Sequence, residues 1–427
     1  MISVFMRITL ALWLALFAIV AGGVPLRAQA VESVLTGVRD ERQRLIDTMR
    51  ELVSIESGSR DFEGLTRIGR VIADRLRELG GEVQLVEPAD IYHMQDTPDR
   101  IGPSVVGRFR GTGTRRILLL AHMDTVYLRG MLAEQPFRIE GDRAYGLGIA
   151  DDKHGVALIL HTLSVLKEVG FDDYGLITVL INADEEVSSP GSRSLITKLG
   201  REHDAVFSCE GGGAHRIRLR TSGIGAFKLT VRGRASHAGA APERGRNALY
   251  ELAHQIMQTR DLSDPDAGLK MNWTIATGGD TRNVIPAEAQ ATADVRVLLV
   301  EDYDRIESEV RRRVANQLIP DTDIDLVFER RRPPLVISNA SRRLARHARS
   351  VYGELGLELT VDEDATGGGT DAAFAALETD APVLEGMGLQ GYGAHSNNVE
   401  FVDLRSIEPR LYLLTRLIMD VSDGTAP

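Results

Sequence analysis

Short, predominantly apolar segments alternate with segments of helical periodicity in the first half of the chain, and this pattern restricts the fold most. The apolar segments span 117–121, 176–181 and 205–209. Between them, residues 155–169 and 192–199 carry apolar side chains at the three- and four-residue spacing of a helix. A strand that is apolar on both faces has to be covered on both faces. The sequence therefore predicts an α/β sheet between two helical layers.

The pattern changes in the middle of the chain, where strand-like and helix-like segments follow one another in a different order. These segments are at 225–232 (strand), 247–258 (helix), 272–277 (strand), 288–298 (strand) and 301–317 (helix). They predict a small α+β domain, and Pro333 and Pro334 mark its end. We expect this domain at 222–333, inserted into an α/β domain formed by 31–221 and 334–427.

The first 30 residues have the pattern of a cleavable signal peptide. Arg7 precedes an apolar stretch at 8–21 that is short for a bilayer span, and small residues at Ala28 and Ala30 suit cleavage near Ala30. An uncleaved membrane anchor is the alternative. We expect a periplasmic or secreted protein that has no stable association with a membrane after cleavage.

The charge and the cysteine count exclude some partners and chemistries. The net charge of −11 argues against nucleic acid and anionic lipid, because both would be repelled. A small anionic substrate stays possible, since local cations could bind it. Cys209 is the only cysteine, so no intrachain disulfide can form. We expect it to be a buried small residue and not a nucleophile.

Residues that can bind metal follow the apolar segments. At the carboxyl ends of predicted strands lie His122, Asp124, Glu185, Glu186 and Glu210. Asp151 lies at the start of a predicted helix after a Gly-rich turn, and His395 lies in a loop. Ligands bind at this edge of α/β sheets. Taken singly, each residue could have a purely structural role, as part of a surface pair, as a helix cap or as a solvated loop acid. Together, five candidate ligands with accessory acids favour two metal ions over one.

Five motifs occur in order along the chain: His122-Met123-Asp124-Thr125-Val126, Gly148-Ile149-Ala150-Asp151-Asp152-Lys153, Asp184-Glu185-Glu186, Ser236-His237-Ala238-Gly239 and Gly367-Gly368-Gly369-Thr370-Asp371. They resemble the M20 metallopeptidases, and within that family the bacterial glutamate carboxypeptidases of the carboxypeptidase G type. The resemblance implies a zinc-exopeptidase-like α/β/α catalytic domain with an inserted α+β lid. It also implies a homodimer formed through the inserted domain.

The resemblance implies a specific ligand set for two zinc ions in each subunit. One ion would be bound by His122 and Glu210, and the other by Glu186 and His395. Asp151 and a water or hydroxide would bridge the two ions. Imidazole and carboxylate groups are common zinc ligands, so the residue types agree with this assignment.

The resemblance also implies three catalytic roles and a cis peptide bond after Asp151. Asp124 would orient His122, as carboxylates next to metal-binding histidines do. Glu185 would be the general base that takes a proton from the water and delivers it to the leaving amine. His237 would reach the active site of the partner subunit and stabilise the oxyanion there.

The implied substrate is a peptide or amide that ends in glutamate, such as a folate-like compound or an N-acyl-glutamate. Its carboxylates would be bound by Asn283, Arg296, Arg332, and backbone amides around Gly368 and Thr370. Which arginine of the run 330–332 enters the pocket stays open.

Two alternative functions stay open at this point. One is another M20 amidohydrolase, such as an N-acyl-amino-acid deacylase or a dipeptidase. The other is a periplasmic binding protein for acidic amino acids. A general base at Glu185 distinguishes them, because a binding protein has no use for one.

Overall fold

The computed structural model describes residues 31–213, 215–396 and 398–426. The expected signal peptide lies outside the described residues. The helices, in chain order, are α1 (Glu32–Val53), α2 (Phe62–Glu78), α3 (His154–Glu168), α4 (Arg193–Arg201), α5 (Ala248–Thr259), α6 (Glu301–Val314), α7 (Asn339–Glu354), α8 (Ala372–Ala375) and α9 (Ile407–Ser422). None of these described helices is both long enough and apolar enough to cross a membrane.

The strands form two large sheets and two small ones. In chain order they are β1 (Glu82–Val86), β2 (Ser104–Arg110), β3 (Arg116–His122), β4 (Arg138–Glu140), β5 (Arg143–Tyr145), β6 (Leu176–Asn182), β7 (Ala205–Ser208), β8 (Arg216–Arg218), β9 (Gly223–Arg232), β10 (Lys270–Gly278), β11 (Glu288–Val297), β12 (Asp323–Arg332), β13 (Thr360–Asp362), β14 (Val383–Leu384), β15 (Gly391–Tyr392) and β16 (Phe401–Asp403).

The first large sheet has the strand order β1-β2-β6-β3-β7-β14. Strands β6, β3, β7 and β14 are parallel. At one side, β2 pairs antiparallel with β6, and β1 pairs antiparallel with β2. Successive residues of β3 point to opposite faces: Leu119 packs with α1, α3 and α9, whereas Leu120 packs with α4 and α8. The predicted α/β sheet between two helical layers is confirmed. Its antiparallel strand β2 was not predicted.

The second large sheet is antiparallel, in the order β10-β11-β9-β12. Helices α5 and α6 pack against it around Phe227, Leu252 and Val310, in a hydrophobic core separate from that of the first sheet. Strand β12 was not predicted, although Ile324, Leu326 and Phe328 alternate with polar residues at the two-residue period of a strand.

A small four-stranded sheet, β15-β16-β5-β4, lies beside the loops that contain Asp151 and His395. Strand β5 precedes the kinked segment Ile149–Lys153, and β15 and β16 flank the loop that contains His395. This sheet therefore brings two loops from distant parts of the chain to the edge of the first sheet. Cys209 is buried and free at the same edge, as expected.

Candidate metal centre

Asp151 is the centre of a cluster of side chains that could bind a metal ion. Its Oδ1 lies 2.9 Å from His122 Nε2, and its Oδ2 lies 3.1 Å from His395 Nε2. His395 Nε2 also lies 3.0 Å from Glu186 Oε2. One carboxylate thus faces two histidines, one with each oxygen, which is the arrangement of a bridging ligand. The peptide bond between Asp151 and Asp152 is cis, as the resemblance implies.

The order of strands in the first sheet explains why these side chains lie close together. His122 is the last residue of β3 and lies opposite Asn182, the last residue of the parallel strand β6. Glu185 and Glu186 follow β6 in a single helical turn. Glu210 follows β7, on the other side of β3. Parallel strands end at one edge of a sheet, so these side chains come together there.

Glu210 lies at the same sheet edge, beside Thr370 and Glu385. Thr370 Oγ1 lies 3.2 Å from Glu210 Oε1 and 2.8 Å from Glu385 Oε2. Burial raises the pKa of Glu210 well above the usual range, and the nearby carboxylates of Glu385 and Glu185 raise it further. The charges of His122 and Asp151 also act on this pKa, and the predicted role of Glu210 as a metal ligand stays a prediction.

The cluster fits a divalent metal ion. Ligand atoms of Asp151, Glu186 and His395 all lie within 4.8 Å of one another. The Oε1 atom of Glu186 is buried and accepts no hydrogen bond from the described residues. Burial raises the pKa of Glu186 to about 7, and raises that of Glu185 well above its usual range. Because several acids share a site shielded from water, a bound cation would stabilise their charged forms.

Asp124 connects the metal-binding residues to the candidate base. Its carboxylate accepts hydrogen bonds from the backbone amides of Glu185 (3.0 Å) and Glu186 (3.1 Å) and from Ser59 Oγ (2.7 Å). It also lies 3.4 Å from His122 Nδ1. Asp124 therefore holds the turn after β6 against the end of β3, and its predicted role in orienting His122 stays a prediction.

The three arginines of β12 point to different places. Arg330 pairs with Asp304 and Glu307 on the surface of the inserted domain. Arg331 pairs with Asp96 and Glu329. Arg332 is buried and enters the site, where it contacts Glu185 and Asp371. The structure thus selects Arg332 as the arginine of the site, and its predicted contact with substrate stays a prediction.

The other predicted substrate residues lie farther from the cluster. Arg296 pairs with Asp294 and donates to the carbonyl of Gly367 at 2.9 Å. Gly368 is exposed, and its carbonyl accepts from Ser222 N at 2.9 Å. Thr370 is buried between two glutamates, as described above. These contacts place the Gly367–Thr370 loop between the inserted domain and the centre.

His237 and Asn283 are exposed on the inserted domain. His237 Nδ1 accepts hydrogen bonds from the amides of Gly239 and Ala240, each at 3.1 Å. Asn283 is joined to the same loop through its carbonyl, which accepts from Ala238 N at 2.9 Å. Within the described chain, neither side chain is brought to the metal centre. Their predicted roles in a partner's site stay predictions.

Three acids near the centre were missed by the sequence reasoning. Glu400 accepts from the amides of Gly148 and Ala150, and so holds the loop before Asp151. Glu385 is buried beside Thr370. Asp371 pairs with Arg332, and its position in the Gly-Gly-Gly-Thr-Asp motif was the available signal. Glu400 and Glu385 stand in ordinary loop sequence, which carries no such signal.

A cavity of about 560 Å³ opens beside the centre. Its lining comes from three segments, 58–63, 125–129, and Glu186 with Val187. Val126 and Leu128 expose much of their apolar surface there. This volume is within the range of small-molecule sites.

Residues 118–420 match the sequence model of the peptidase family M20/M25/M40. The chain is 44% identical to Carboxypeptidase G2 of Pseudomonas sp. (strain RS-16) over 400 residues, which cover 93% of this chain and 94% of that protein. It is 28% identical to the succinyl-diaminopimelate desuccinylase of Methylobacterium radiotolerans over 343 residues, 76% of this chain and 84% of that protein.

The fold is similar to the solved structure of the Bacillus subtilis YXEP protein, described as a dinuclear metal binding peptidase from the M20 family. The TM-score is 0.65 with 15% sequence identity, over 90% of this chain and 99% of that one. The family match covers most of the chain, and the 44% identical relative covers nearly all of it. The protein is therefore a metal-dependent hydrolase and not a binding protein. The chain belongs to the peptidase family M20/M25/M40.

Proposed function

We propose that the protein is a secreted carboxypeptidase with two zinc ions that releases C-terminal glutamate from folate-like or N-acyl-glutamate substrates. The observation that supports this most is the arrangement of Asp151 between two histidines, beside the buried Glu185. The family membership makes it a metal-dependent hydrolase, and the relative named Carboxypeptidase G2 supports the finer assignment.

In this proposal His122 and Glu210 bind one zinc ion, Glu186 and His395 bind the other, and Asp151 bridges them. When bound, two zinc ions would supply Lewis-acid stabilisation for the scissile carbonyl and activation for the attacking water. Each carboxylate oxygen of Asp151 contacts a different histidine, Oδ1 with His122 and Oδ2 with His395, and this supports the bridging role. Other divalent metals share this donor set, so the metal content has to be measured.

Glu185 is the proposed general base. Its carboxyl group is buried next to the metal-binding Glu186, and its backbone amide is held by Asp124. Burial raises the pKa of Glu185 well above its usual range. A carboxyl group with a raised pKa is a stronger base toward the attacking water, and once protonated it is the acid that returns the proton to the leaving amine.

The preference for glutamate is the finest part of the proposal. Its support is the 44% identity to Carboxypeptidase G2 and the presence of Arg332 and Arg296 near the centre. The 560 Å³ cavity beside Glu186 has room for a large acyl group on the other side of the scissile bond. Its exposed Leu128 and Val126 suit an apolar or aromatic acyl group.

A second candidate is an M20 amidohydrolase of other specificity, such as a deacylase of N-acyl-amino acids or a dipeptidase. The similarity to a succinyl-diaminopimelate desuccinylase favours this candidate. An enzyme of this kind would have the same metal centre, and its substrates would have a different residue after the scissile bond. Rates on substrates that differ only in this residue therefore distinguish the two candidates.

A homodimer through the inserted domain is also part of the proposal. Strand β10 is at the edge of its sheet, and Ile275 on it is 61% exposed. On the neighbouring helix α5, Tyr250 is 62% and Met257 is 54% exposed. An open strand edge next to exposed apolar side chains supports association with a second copy. In such a dimer, the exposed His237 would face the partner's centre.

Secretion is proposed from the N-terminal sequence pattern alone. Expression of the full chain in a Gram-negative host, followed by fractionation and N-terminal sequencing, tests it. A mature protein that begins close to residue 31 in the periplasm would support export. A chain that keeps its first 30 residues in the membrane fraction would show an uncleaved anchor.

The deciding experiment measures metal content and hydrolysis together. We expect about two zinc ions per chain by elemental analysis, and loss of activity after chelation that zinc restores. Benzoyl-glutamate should be cleaved faster than benzoyl-alanine. Activity that survives complete removal of metal would refute the mechanism. Equal rates on the two substrates would refute the glutamate preference and favour the second candidate.

A further inference from the structure

Val31, which directly follows the expected signal peptide, contacts a largely buried polar cluster formed by Tyr412, Glu354, Arg416, Asp420 and His347. Val31 N donates a hydrogen bond to Tyr412 Oη at 2.9 Å. The hydroxyl of Tyr412 donates in turn to Glu354 Oε2 at 2.5 Å, and it accepts from Arg416 NH1 at 2.8 Å. The main-chain nitrogen of residue 31 is therefore held next to an ion pair.

The cluster connects three helices of the catalytic domain. Glu354 is the last residue of α7, Tyr412 is on α9, and Val31 directly precedes α1. Helix α9 packs against both α1 and α7. Tyr412 is fully buried, and the side chain of Glu354 is only 9% exposed. A stronger contact at Val31 N would therefore fasten the first helix of the domain to α7 and α9.

The cluster contains more acid than base. Arg416 lies 2.5 Å from Glu354 Oε2 and 3.3 Å from Asp420 Oδ1. His347 Nε2 lies 2.7 Å from Asp420 Oδ2, where a neutral imidazole can donate a hydrogen bond. One arginine thus faces two carboxylates in a place that is largely shielded from water. One additional cation would balance the charge there.

Removal of the expected signal peptide would create such a cation at this point. When the bond between Ala30 and Val31 is hydrolysed by a signal peptidase, water adds a hydroxyl group to the carboxyl of Ala30 and a hydrogen to the amine of Val31. An α-amino group has a pKa of about 8, so it takes up a proton at neutral pH. The nitrogen of Val31 thereby changes from a neutral amide into an ammonium group with three hydrogens.

The position at the start of a helix makes an acidic partner necessary. Helix α1 begins at Glu32, and no side chain of the described residues caps its first amides. The helix dipole disfavours a positive charge beside these amides. Without a carboxylate nearby, a free ammonium group at Val31 would therefore weaken the start of α1. Glu354 is the carboxylate that the fold places there, one hydroxyl group away from Val31 N.

We propose that the cluster around Tyr412 and Glu354 is a binding site for the α-ammonium group of the mature N-terminus. The ammonium group keeps the hydrogen bond to Tyr412 and forms an ion pair with Glu354, so removal of the signal peptide stabilises the packing of α1 on α9. The inference rests on the proposed cleavage near Ala30, and it selects the bond between Ala30 and Val31. It is independent of the metal centre and of the substrate.

The test compares two forms of the mature chain, one that begins at Val31 and one that keeps Ala28-Gln29-Ala30 before it. Each form is prepared as wild type, as Glu354→Gln, and as Glu358→Gln, a control at an exposed position nearby. We expect the wild-type form that begins at Val31 to have a Tm about 2 to 4 °C higher than the extended form. The difference should disappear in Glu354→Gln and persist in Glu358→Gln.

Labelling of the α-amine by an amine-reactive ester, followed by peptide mass spectrometry, gives a second readout. An ion pair keeps the amine protonated and therefore unreactive. In the form that begins at Val31, labelling should be about tenfold slower for wild type than for Glu354→Gln. If Glu354→Gln does not fold, Tyr412→Phe takes its place in both measurements, because it removes the hydrogen bond and keeps the ring.

Equal Tm values for the two wild-type forms would overturn the inference, and so would a difference that persists in Glu354→Gln. N-terminal sequencing of the exported protein is an independent check. A mature chain that begins at another residue would refute the inference and leave export supported, whereas an uncleaved chain would refute both. Hydrolytic activity is not a readout here, so a failure of the carboxypeptidase assignment would leave this test unaffected.

Discussion

At the scale of single residues, the adjacent Glu185 and Glu186 differ through their neighbours. Glu186 faces His395 and the centre around Asp151. Glu185 faces Arg332. Both backbone amides are held by Asp124, so the two carboxylates leave the same turn in different directions. This difference is the physical basis for assigning one to metal binding and the other to proton transfer.

Replacing Glu185 with glutamine removes the proposed base and preserves its shape. We expect kcat to fall by about 10²- to 10⁴-fold, the usual contribution of general acid–base catalysis. The zinc content should stay unchanged, because Glu185 is not a proposed ligand. Steady-state kinetics and elemental analysis check this, with the exposed Glu358 changed to glutamine as control. A variant with full turnover would rule out Glu185 as the base.

Replacing Asp124 with asparagine tests the residue that holds the turn after β6. An asparagine has one acceptor oxygen, so one of the two amide contacts to Glu185 and Glu186 is lost. We expect activity or zinc affinity to fall about 10- to 100-fold. Ser59→Ala, which removes one hydrogen bond to the same carboxylate, should have a smaller effect. Equal behaviour of wild type and Asp124→Asn in kinetics and zinc titration would contradict the role.

At the scale of elements, helices α1 and α3 are joined by a buried polar cluster outside the metal centre. Glu41 on α1 contacts His161 Nδ1 on α3 and accepts from Ser164 Oγ at 3.0 Å. His161 Nε2 lies 2.9 Å from Thr48 Oγ1. Burial raises the pKa of Glu41, but the contacts with His161, Arg44 and Ser164 outweigh it and lower the pKa to about 2.

This cluster predicts a specific loss of stability in acid. A carboxyl group with a lowered pKa in the folded state stabilises that state above its unfolded pKa, and the stabilisation is lost as pH falls through the folded pKa. For Glu41 the window extends from about pH 4.5 down to about pH 2. The difference in Tm between metal-free wild type and metal-free Glu41→Gln should therefore shrink across this window. A difference that is constant from pH 7 to pH 3 would contradict the assignment.

At the scale of the whole molecule, the inserted domain meets the catalytic domain along β12. Gln95 N donates to Glu329 Oε1 at 2.7 Å, and Arg331 pairs with Asp96. Arg193 on α4 donates to the carbonyl of Arg331 at 2.9 Å. These contacts place one end of the second sheet beside the metal centre. The loop that contains His237 is exposed elsewhere on the inserted domain.

The proposed dimer predicts complementation between two inactive variants. If His237 acts in the partner's site, a hybrid of His237→Ala and Glu185→Gln subunits has one intact site. After mixing and reassociation, activity should recover to roughly a quarter of wild type, since half of the dimers are hybrids with one intact site each. Ile275→Glu should abolish both the dimer and the recovery, as size-exclusion chromatography and kinetics would show. Failure of a stable dimer mixture to recover activity would refute the shared site.

The sequence by itself determined the α/β class and the candidate ligands. Apolar strands such as β3 and β6 are recognised from composition alone, and the ligands follow them directly in the chain. Strand β12 escaped notice because its alternation ends in three arginines, a run that is also typical of a solvated surface. Strand β2 was not predicted. Nothing in its local sequence indicates that it pairs antiparallel with a neighbouring strand of the sheet.

Only the tertiary structure decided which side chains reach the metal centre and which stay on the surface. It directed Arg332 to Glu185 and left Arg330 on the surface, because a bulge in β12 redirects one side chain and not the other. It also brought in Asp371 and Glu400, which depend on contacts between segments far apart in the chain. Metal-ligand motifs are local and readable from sequence. The contacts that orient a base arise from packing between elements, and no local pattern encodes them.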